Sequence, residues 1–168
     1  NNGAQKAKGE IIGFLDDDAE VENDFLKNVE RFFNDYKSID IVGGPQLTPK
    51  SQKGFAKISG YALTSKFGAA GTSVRYKKGK LNLNANENDL TSAICFIKKD
   101  VFRKLKGFNL NLFPGEDPEF FFRAKKLNYK IMYSPEIFIY HRRRSSLKSL
   151  IKQFSNYGST RVKKEKIG

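Results

Sequence analysis

Apolar residues occur along the chain in short runs, and the spacing within each run predicts a structural element. The run EIIGFL, residues 10–15, is apolar, contains β-branched residues and ends in charge, so it predicts a short buried strand. IDIVGG, residues 39–44, predicts a second strand. Between them lie apolar residues at helical spacing, namely Phe25, Val29, Phe32, Phe33 and Tyr36. A strand, a helix and a strand in this order predict a parallel α/β sheet.

The second half of the chain continues the alternation of strands and helices. LTSAICFIK, residues 90–98, predicts a strand, and VFRKLKGF, residues 101–108, predicts a short helix. GEDPEFFFRAKKL predicts a helix that begins with Asp117 as its N-cap and Pro118 as its first residue. Two short strands, KIMYS and EIFIYH, follow around Pro135. The last predicted helix carries an apolar stripe, formed by Leu147, Leu150, Ile151, Phe154 and Tyr157.

Between Pro45 and about Leu90 the periodicity weakens. This span is rich in Gly, Ser, Lys and Asn, and its large aromatic residues are isolated. We therefore expect an irregular segment here, which in a compact domain tends to be functional or mobile.

Composition narrows the class of protein. The length of 168 residues and the 39% hydrophobic content predict one globular domain, and no apolar run approaches the roughly 20 residues that cross a bilayer. The formal charge of +13 predicts a polyanionic partner. Cys95, the only cysteine, lies in an apolar run and is expected to be a buried, unreactive thiol. Because the chain opens on Asn1 without Met, we expect it to be a piece of a longer protein.

Three carboxylates in a row follow the first predicted strand, in GEIIGFLDDDAEV. Asp16, Asp17 and Asp18 lie where the carboxyl end of a parallel strand meets its ligand, and a hard cation such as Mg²⁺ or Mn²⁺ would relieve their repulsion. A solvated turn is the simpler alternative. A calcium-binding loop is excluded, because its sixth and twelfth positions would be Val21 and Lys27. A phosphatase with a DxD aspartate nucleophile stays open.

Three motifs in order carry a family resemblance. They are NNGAQKAKGEIIGFLDDD, then GFNLNLFPGEDPEFFFRAKKLNYKIMYSPEIFIYH, then RRRSSLKSLIKQFSNYG. Together they resemble family 2 glycosyltransferases, which are inverting, nucleotide-sugar-dependent enzymes. The resemblance implies an α/β GT-A fold, with a Rossmann-like, mostly parallel sheet flanked by helices, here missing its first strands. It also implies a hexosyltransferase that acts in cell-envelope or surface polysaccharide or glycolipid synthesis, although this fragment alone is expected to be poorly active.

The resemblance also implies roles for the acidic turn and its surroundings. Asp16 to Asp18 match the DxD motif, so that Asp18 binds Mn²⁺ or Mg²⁺ while Asp16 and Asp17 contact the donor. His141, the only histidine, matches a residue that reaches the metal or the diphosphate in some relatives. The metal would offset the charge that develops on the departing nucleoside diphosphate.

The remaining implied roles concern catalysis and the donor. Glu116 and Asp117 match the ED motif, whose aspartate takes the proton from the acceptor hydroxyl. QFSNY stands where processive members carry QxxRW, so Gln153 is retained while the arginine is absent, which favours single transfers. Gln153 and Arg144 are expected near the donor.

The basic C-terminal segment suggests a further partner. We divide the chain into a partial catalytic domain, residues 1–141, and a basic amphipathic helix and tail of the same domain, residues 142–168. The segment RRRSSLKSLIKQF combines an apolar stripe with positive charge, as in helices that lie on anionic membranes, although the stripe could instead pack on the domain. We expect a saccharide or lipid-linked acceptor, and a location in the cytoplasm or at the inner face of the cell membrane. A nucleic-acid-binding module is the rival reading of the charge, but no nucleic-acid-binding motif supports it.

Overall fold

The structure is a computed structural model that describes the backbone of residues 1–165, with the side chains apart from those of Ala70 and residues 157–165. Its strands are β1 (Ile11–Leu15), β2 (Ala19–Glu20), β3 (Ile41–Gly43), β4 (Gln46–Leu47), β5 (Ile94–Lys98), β6 (Ile131–Tyr133) and β7 (Ile139–His141). Its helices are α1 (Asn2–Lys6), α2 (Phe25–Asp35), α3 (Gly54–Thr64), α4 (Lys66–Ala69), α5 (Lys99–Lys104), α6 (Glu116–Lys126) and α7 (Leu147–Glu165), with a 3₁₀ helix at Ala70–Tyr76.

The main sheet has four strands in the order β1-β5-β3-β6. Strands β3 and β6 pair in parallel, and β5 is antiparallel to both β1 and β3. Three of the four strands therefore point the same way, which confirms the predicted α/β class. The insertion of β5 between β1 and β3 could not be foreseen from the order of elements along the chain.

Both faces of the main sheet are buried, and the alternation of side chains explains how. Within β3, Ile41 belongs to a core that α5 and α6 cover, whereas the next residue, Val42, belongs to a core that α2 covers. The same alternation separates Cys95 from Phe96 in β5. A sheet with helices on both faces requires apolar residues at consecutive strand positions, as these runs provide.

A second, small sheet lies at one end of the domain and has the order β2-β7-β4. Strand β2 pairs antiparallel with β7, so that Ala19 lies opposite His141. Strand β4 pairs in parallel with β7, so that Gln46 lies opposite Ile139. Strand β7 is therefore the element that joins the acidic turn to the segment after β3.

The expectation of an irregular segment after Pro45 is wrong, because the span contains α3, α4 and the 3₁₀ helix. Helix α3 does have a buried face at helical spacing, formed by Ala56, Ser59, Gly60 and Leu63. Most of these residues are small and give little hydrophobic signal. A Cβ atom at Gly60 would lie 2.3 Å from Thr48 Oγ1, so this face packs closely against the segment after β4.

The apolar stripe on α7 is largely exposed. The exposed fractions of Leu147, Ile151 and Phe154 are 59%, 58% and 44%, and Leu150 is half-buried. The side chain of Tyr157 lies outside the described residues. Within residues 1–165, no helix is both long and apolar enough to cross a membrane.

Candidate active site

The acidic turn and the only histidine come together at the edge of the second sheet. The turn closes through a hydrogen bond from the Ala19 N–H to the Asp16 carbonyl oxygen, 3.1 Å, and leads directly into β2. Because Ala19 pairs with His141, the imidazole is brought over the turn. Its Nε2 atom lies 3.1 Å from an Asp16 carboxylate oxygen and 3.0 Å from an Asp18 carboxylate oxygen.

These three side chains form a group that can hold a metal ion. One ligand atom from each of Asp16, Asp18 and His141 lies within 4.8 Å of the others. His141 is more enclosed than its partners, since 21% of its side chain is exposed against 45% and 53% for Asp16 and Asp18. Its buried Nδ1 atom has no hydrogen-bond partner within the described protein. Carboxylate and imidazole groups are ordinary ligands of divalent metal ions, and the exposure of these side chains leaves coordination positions open to a ligand.

Asp17 differs from its neighbours. It is exposed and does not belong to the group of potential metal ligands. The structure therefore places Asp16 beside Asp18 as a candidate ligand, whereas the sequence prediction gave Asp16 to the donor.

Helix α6 carries the predicted ED pair, Glu116 and Asp117, but the helix begins at a different residue from the one predicted. The helix begins at Glu116 with Gly115 as its N-cap, so the prediction of Asp117 as the N-cap is wrong. Gly115 has a φ of 127°, which favours glycine, and it offers no side-chain cap to the helix. Glu116 turns back, and its carboxylate accepts a hydrogen bond from the Gly115 N–H at 2.9 Å.

The Asp117 carboxylate is not the N-cap of the helix and instead contacts the segment before β5. Its Oδ2 atom accepts a hydrogen bond from the Ser92 N–H at 3.2 Å. The pKa of Asp117 is raised from 3.8 to about 6, mainly by burial; Arg75 opposes this increase, the charge of Glu116 adds to it, and the Ser92 N–H lowers it. At neutral pH this carboxylate is mostly ionised, and it is a stronger base than an ordinary aspartate.

Several residues near Asp117 carry no signal in the sequence. Arg75 lies in the 3₁₀ helix, and its side chain donates hydrogen bonds to the carbonyl oxygens of Glu87 and Asn88. Ser92 acts through its backbone, so its side-chain type gives no indication of the contact. Burial also raises the pKa of the Cys95 thiol well above its usual value, and Asp117 adds to that effect, which agrees with the predicted inert thiol.

The two residues predicted to lie near the donor are outside the metal-binding group. Gln153 is half-buried on α7, and Arg144 is exposed before that helix. The neighbouring Arg143 is anchored instead. Its Nε donates to Thr48 Oγ1 at 3.1 Å, and its guanidinium lies 5.1 Å from the ring centre of Tyr76.

Comparison with known protein families identifies the family of the chain. The family model described as glycosyltransferase-like family 2 matches residues 1–155, which include the acidic turn, the ED pair and His141. No curated protein matches the chain. Since the family match covers most of the chain, it supports glycosyltransferase activity, a nucleotide-sugar donor and an acceptor. Enzymes of this family commonly use a divalent metal. The chain belongs to the family 2-like glycosyltransferases.

Proposed function

We propose that the protein transfers a hexose from a nucleotide-diphosphate sugar to an acceptor hydroxyl with inversion at the anomeric carbon. The observation that carries the proposal is the convergence of Asp16, Asp18 and His141, together with a separate carboxylate, Asp117, that is held by the same short segment before β5 that Asp16 contacts. An inverting displacement needs a base for the attacking hydroxyl and an electrophile for the leaving group. The proposed base and the metal-binding group lie on different structural elements, so the two roles fall to separate groups.

Asp117 takes the proton of the acceptor hydroxyl in this mechanism. Its carboxylate is held by the Ser92 N–H at 3.2 Å, and the rise of its pKa to about 6 increases its basicity. Glu116, the first residue of α6, accepts a hydrogen bond from the Gly115 N–H at 2.9 Å, and its negative charge contributes to the raised pKa of Asp117. Transfer should therefore rise with pH through about 6 and then level off, because only ionised Asp117 accepts the proton.

Asp16, Asp18 and His141 bind the cation in this proposal. When bound, Mn²⁺ or Mg²⁺ supplies a Lewis acid for the diphosphate that leaves. The three side chains would leave coordination positions of the cation open, and the diphosphate would be oriented there. Asp17, Gln153 and Arg144 contact the donor in this proposal. The phosphatase alternative shares the DxD motif but has no use for the ED pair, and the family match favours the transferase.

We propose that the acceptor belongs to the cell envelope. The exposed stripe of Leu147, Ile151 and Phe154 on a basic helix supports contact with an anionic membrane surface, where lipid-linked acceptors are found. We accordingly propose a location in the cytoplasm or at the inner face of the cell membrane, and a role in surface polysaccharide or glycolipid synthesis. The high positive charge is consistent with both the donor diphosphate and the membrane.

Release of nucleoside diphosphate from a panel of nucleotide-sugars tests the proposal. The full-length protein is compared with Asp117→Asn, in the presence of Mn²⁺, Mg²⁺ or a chelator. We expect metal-dependent release that falls by about 10²- to 10⁴-fold in the variant, because a general base contributes on that order. Asp35→Asn, an exposed carboxylate at the end of α2, is the control and should retain activity. Release that is indifferent to both metal and Asp117 would contradict the mechanism.

A further inference from the structure

The segment Thr91–Ala93, which precedes β5, is held from three directions. The Ser92 N–H donates to the Asp117 carboxylate at 3.2 Å. The Ala93 carbonyl oxygen accepts a hydrogen bond from the Asp16 N–H, also at 3.2 Å. Three consecutive residues therefore contact the proposed base on one side and a proposed metal ligand on the other, and their position sets the distance between the two.

The third contact is a buried polar pair. Gln46 Nε2 donates to Thr91 Oγ1 at 2.5 Å, and the exposed fractions of the two residues are only 7% and 8%. The neighbours Leu90 and Ile94 are fully buried and apolar. A buried amide and hydroxyl in such surroundings depend on each other, because loss of either partner leaves the other unsatisfied.

Gln46 also links this segment to the strand of the histidine. It lies on β4 opposite Ile139, two residues before His141 in β7. Its carbonyl oxygen accepts a hydrogen bond from the Arg143 guanidinium, two residues after His141. The hydrogen bond between Gln46 and Thr91 therefore joins the strand that carries the imidazole to the segment that contacts both Asp16 and Asp117.

We propose that Gln46 and Thr91 are positioning residues for sugar transfer, which fix the base relative to the metal-binding group through the segment Thr91–Ala93. The inference rests on the proposed function. Neither side chain touches the reacting atoms. Loss of their hydrogen bond lets the segment shift, so that Asp117, with the acceptor hydroxyl that it deprotonates, is misplaced with respect to the donor whose diphosphate lies at the metal-binding group. Small displacements of this kind slow the chemical step.

The test compares Thr91→Val, which keeps the shape of the side chain, with Thr91→Ser, which keeps the hydroxyl. In the full-length protein we expect Thr91→Val to lower kcat about tenfold or more, with the KM values for donor and acceptor within twofold of wild type. Thr91→Ser should restore most of kcat. Gln46→Met, which removes the amide from the other side, should reproduce the loss. Ser134→Ala removes a fully buried hydroxyl after β6, which accepts a hydrogen bond from the Glu136 N–H, and should leave kcat unchanged.

A second readout does not need activity. The titration of the Asp117 carboxyl carbon is followed by NMR, with Arg75 and Glu116 unchanged as the charged groups that act on it. Because the Ser92 N–H favours the ionised form, its displacement in Thr91→Val should raise the titration midpoint, and Thr91→Ser should return it.

The two proposals fail in different ways. If the wild type transfers sugar but Thr91→Val and Gln46→Met keep kcat within twofold and leave the Asp117 midpoint unchanged, the positioning role is wrong. A fall in melting temperature without a change in kcat or midpoint also overturns it, because the pair would then only stabilise the fold. If the wild type transfers no sugar, the proposed function fails, and the titration alone decides whether the pair positions Asp117.

Discussion

The raised pKa of Asp117, the proposed base, lowers the stability of the folded protein at neutral pH. Its pKa is raised from 3.8 to about 6, mainly by burial, so the folded protein holds this proton more tightly than the unfolded chain does. The stability that the proton provides is complete below about pH 4 and is lost as the pH rises through 6. At neutral pH the folded state therefore bears the cost of an ionised, buried carboxylate.

Asp117→Asn should consequently stabilise the protein at neutral pH while it abolishes transfer. A shift of about two pKa units corresponds to about 1–3 kcal/mol of added unfolding free energy at pH 7.5, and the gain should vanish near pH 4. Chemical denaturation at both pH values measures it. Asp35→Asn, the exposed control on α2, should show no such dependence on pH. Equal or lower stability of Asp117→Asn at pH 7.5 would contradict a raised pKa.

At the scale of elements, the site depends on how short strands pair. Strand β2 has only two residues, Ala19 and Glu20, yet its pairing with β7 places His141 over the acidic turn. The backbone hydrogen bonds of this pairing fix the register, and a shift by one residue would turn the imidazole to the other face of the strand. The proximity of Asp16, Asp18 and His141 is thus a property of pairing between distant segments.

The prediction at the scale of elements concerns the exposed apolar face of helix α7. Leu147, Ile151 and Phe154 lie at i, i+4 and i+7, so they share one face, and all three are exposed. Replacement of the three by Ser should lower partitioning to vesicles that contain anionic phosphatidylglycerol at least tenfold, because each apolar side chain favours the membrane by about 1 kcal/mol or more. Flotation of vesicles through a density gradient measures the partitioning.

A matched control distinguishes this helix from general surface hydrophobicity. Leu26, Leu83 and Leu127 are exposed to 69%, 55% and 60%, and they lie on other parts of the surface. The triple replacement of these leucines by Ser should leave partitioning unchanged. Equal losses in the two triple variants, or no binding by the wild type, would overturn the proposed membrane contact.

At the scale of the whole molecule, the net charge and the local charge at the candidate site have opposite signs. The net charge of +13 predicts a polyanionic partner without deciding which one. Against this background, Asp16 and Asp18 form a local anionic site, together with His141. A metal that binds only the folded protein shifts the unfolding equilibrium of the entire domain.

Mn²⁺ should therefore raise the melting temperature. At a concentration of about 100 times its dissociation constant, a single bound ion adds about 2.7 kcal/mol, or roughly 8 °C for a domain of this size. Differential scanning fluorimetry of the wild type, Asp18→Asn and His141→Gln checks the result, and both variants should lose most of the increase. Asp17→Asn, which lies outside the ligand group, should retain it. An equal increase in all four proteins would place the metal elsewhere.

The sequence alone determined those features that depend on local pattern. Short apolar runs predicted strands, helical spacing predicted α2, and the ordered motifs indicated the family before any distance was known. Helix α3 was missed because its buried face consists mainly of small residues, whose spacing is helical but whose hydrophobicity is weak. The N-cap of α6 was misplaced because the helix begins earlier than expected, directly after Gly115, whose φ of 127° is set by the tertiary structure.

Only the tertiary structure decided how the chemistry is assembled. It placed β5 between β1 and β3, brought His141 to Asp16 and Asp18, and joined Asp117 to the backbone of Ser92. These contacts link residues far apart in the chain, and several of them use backbone atoms that every residue type possesses. The physical reason is general: local propensity acts over a few residues, whereas an active site is fixed by the pairing of strands and the packing of helices across the whole domain.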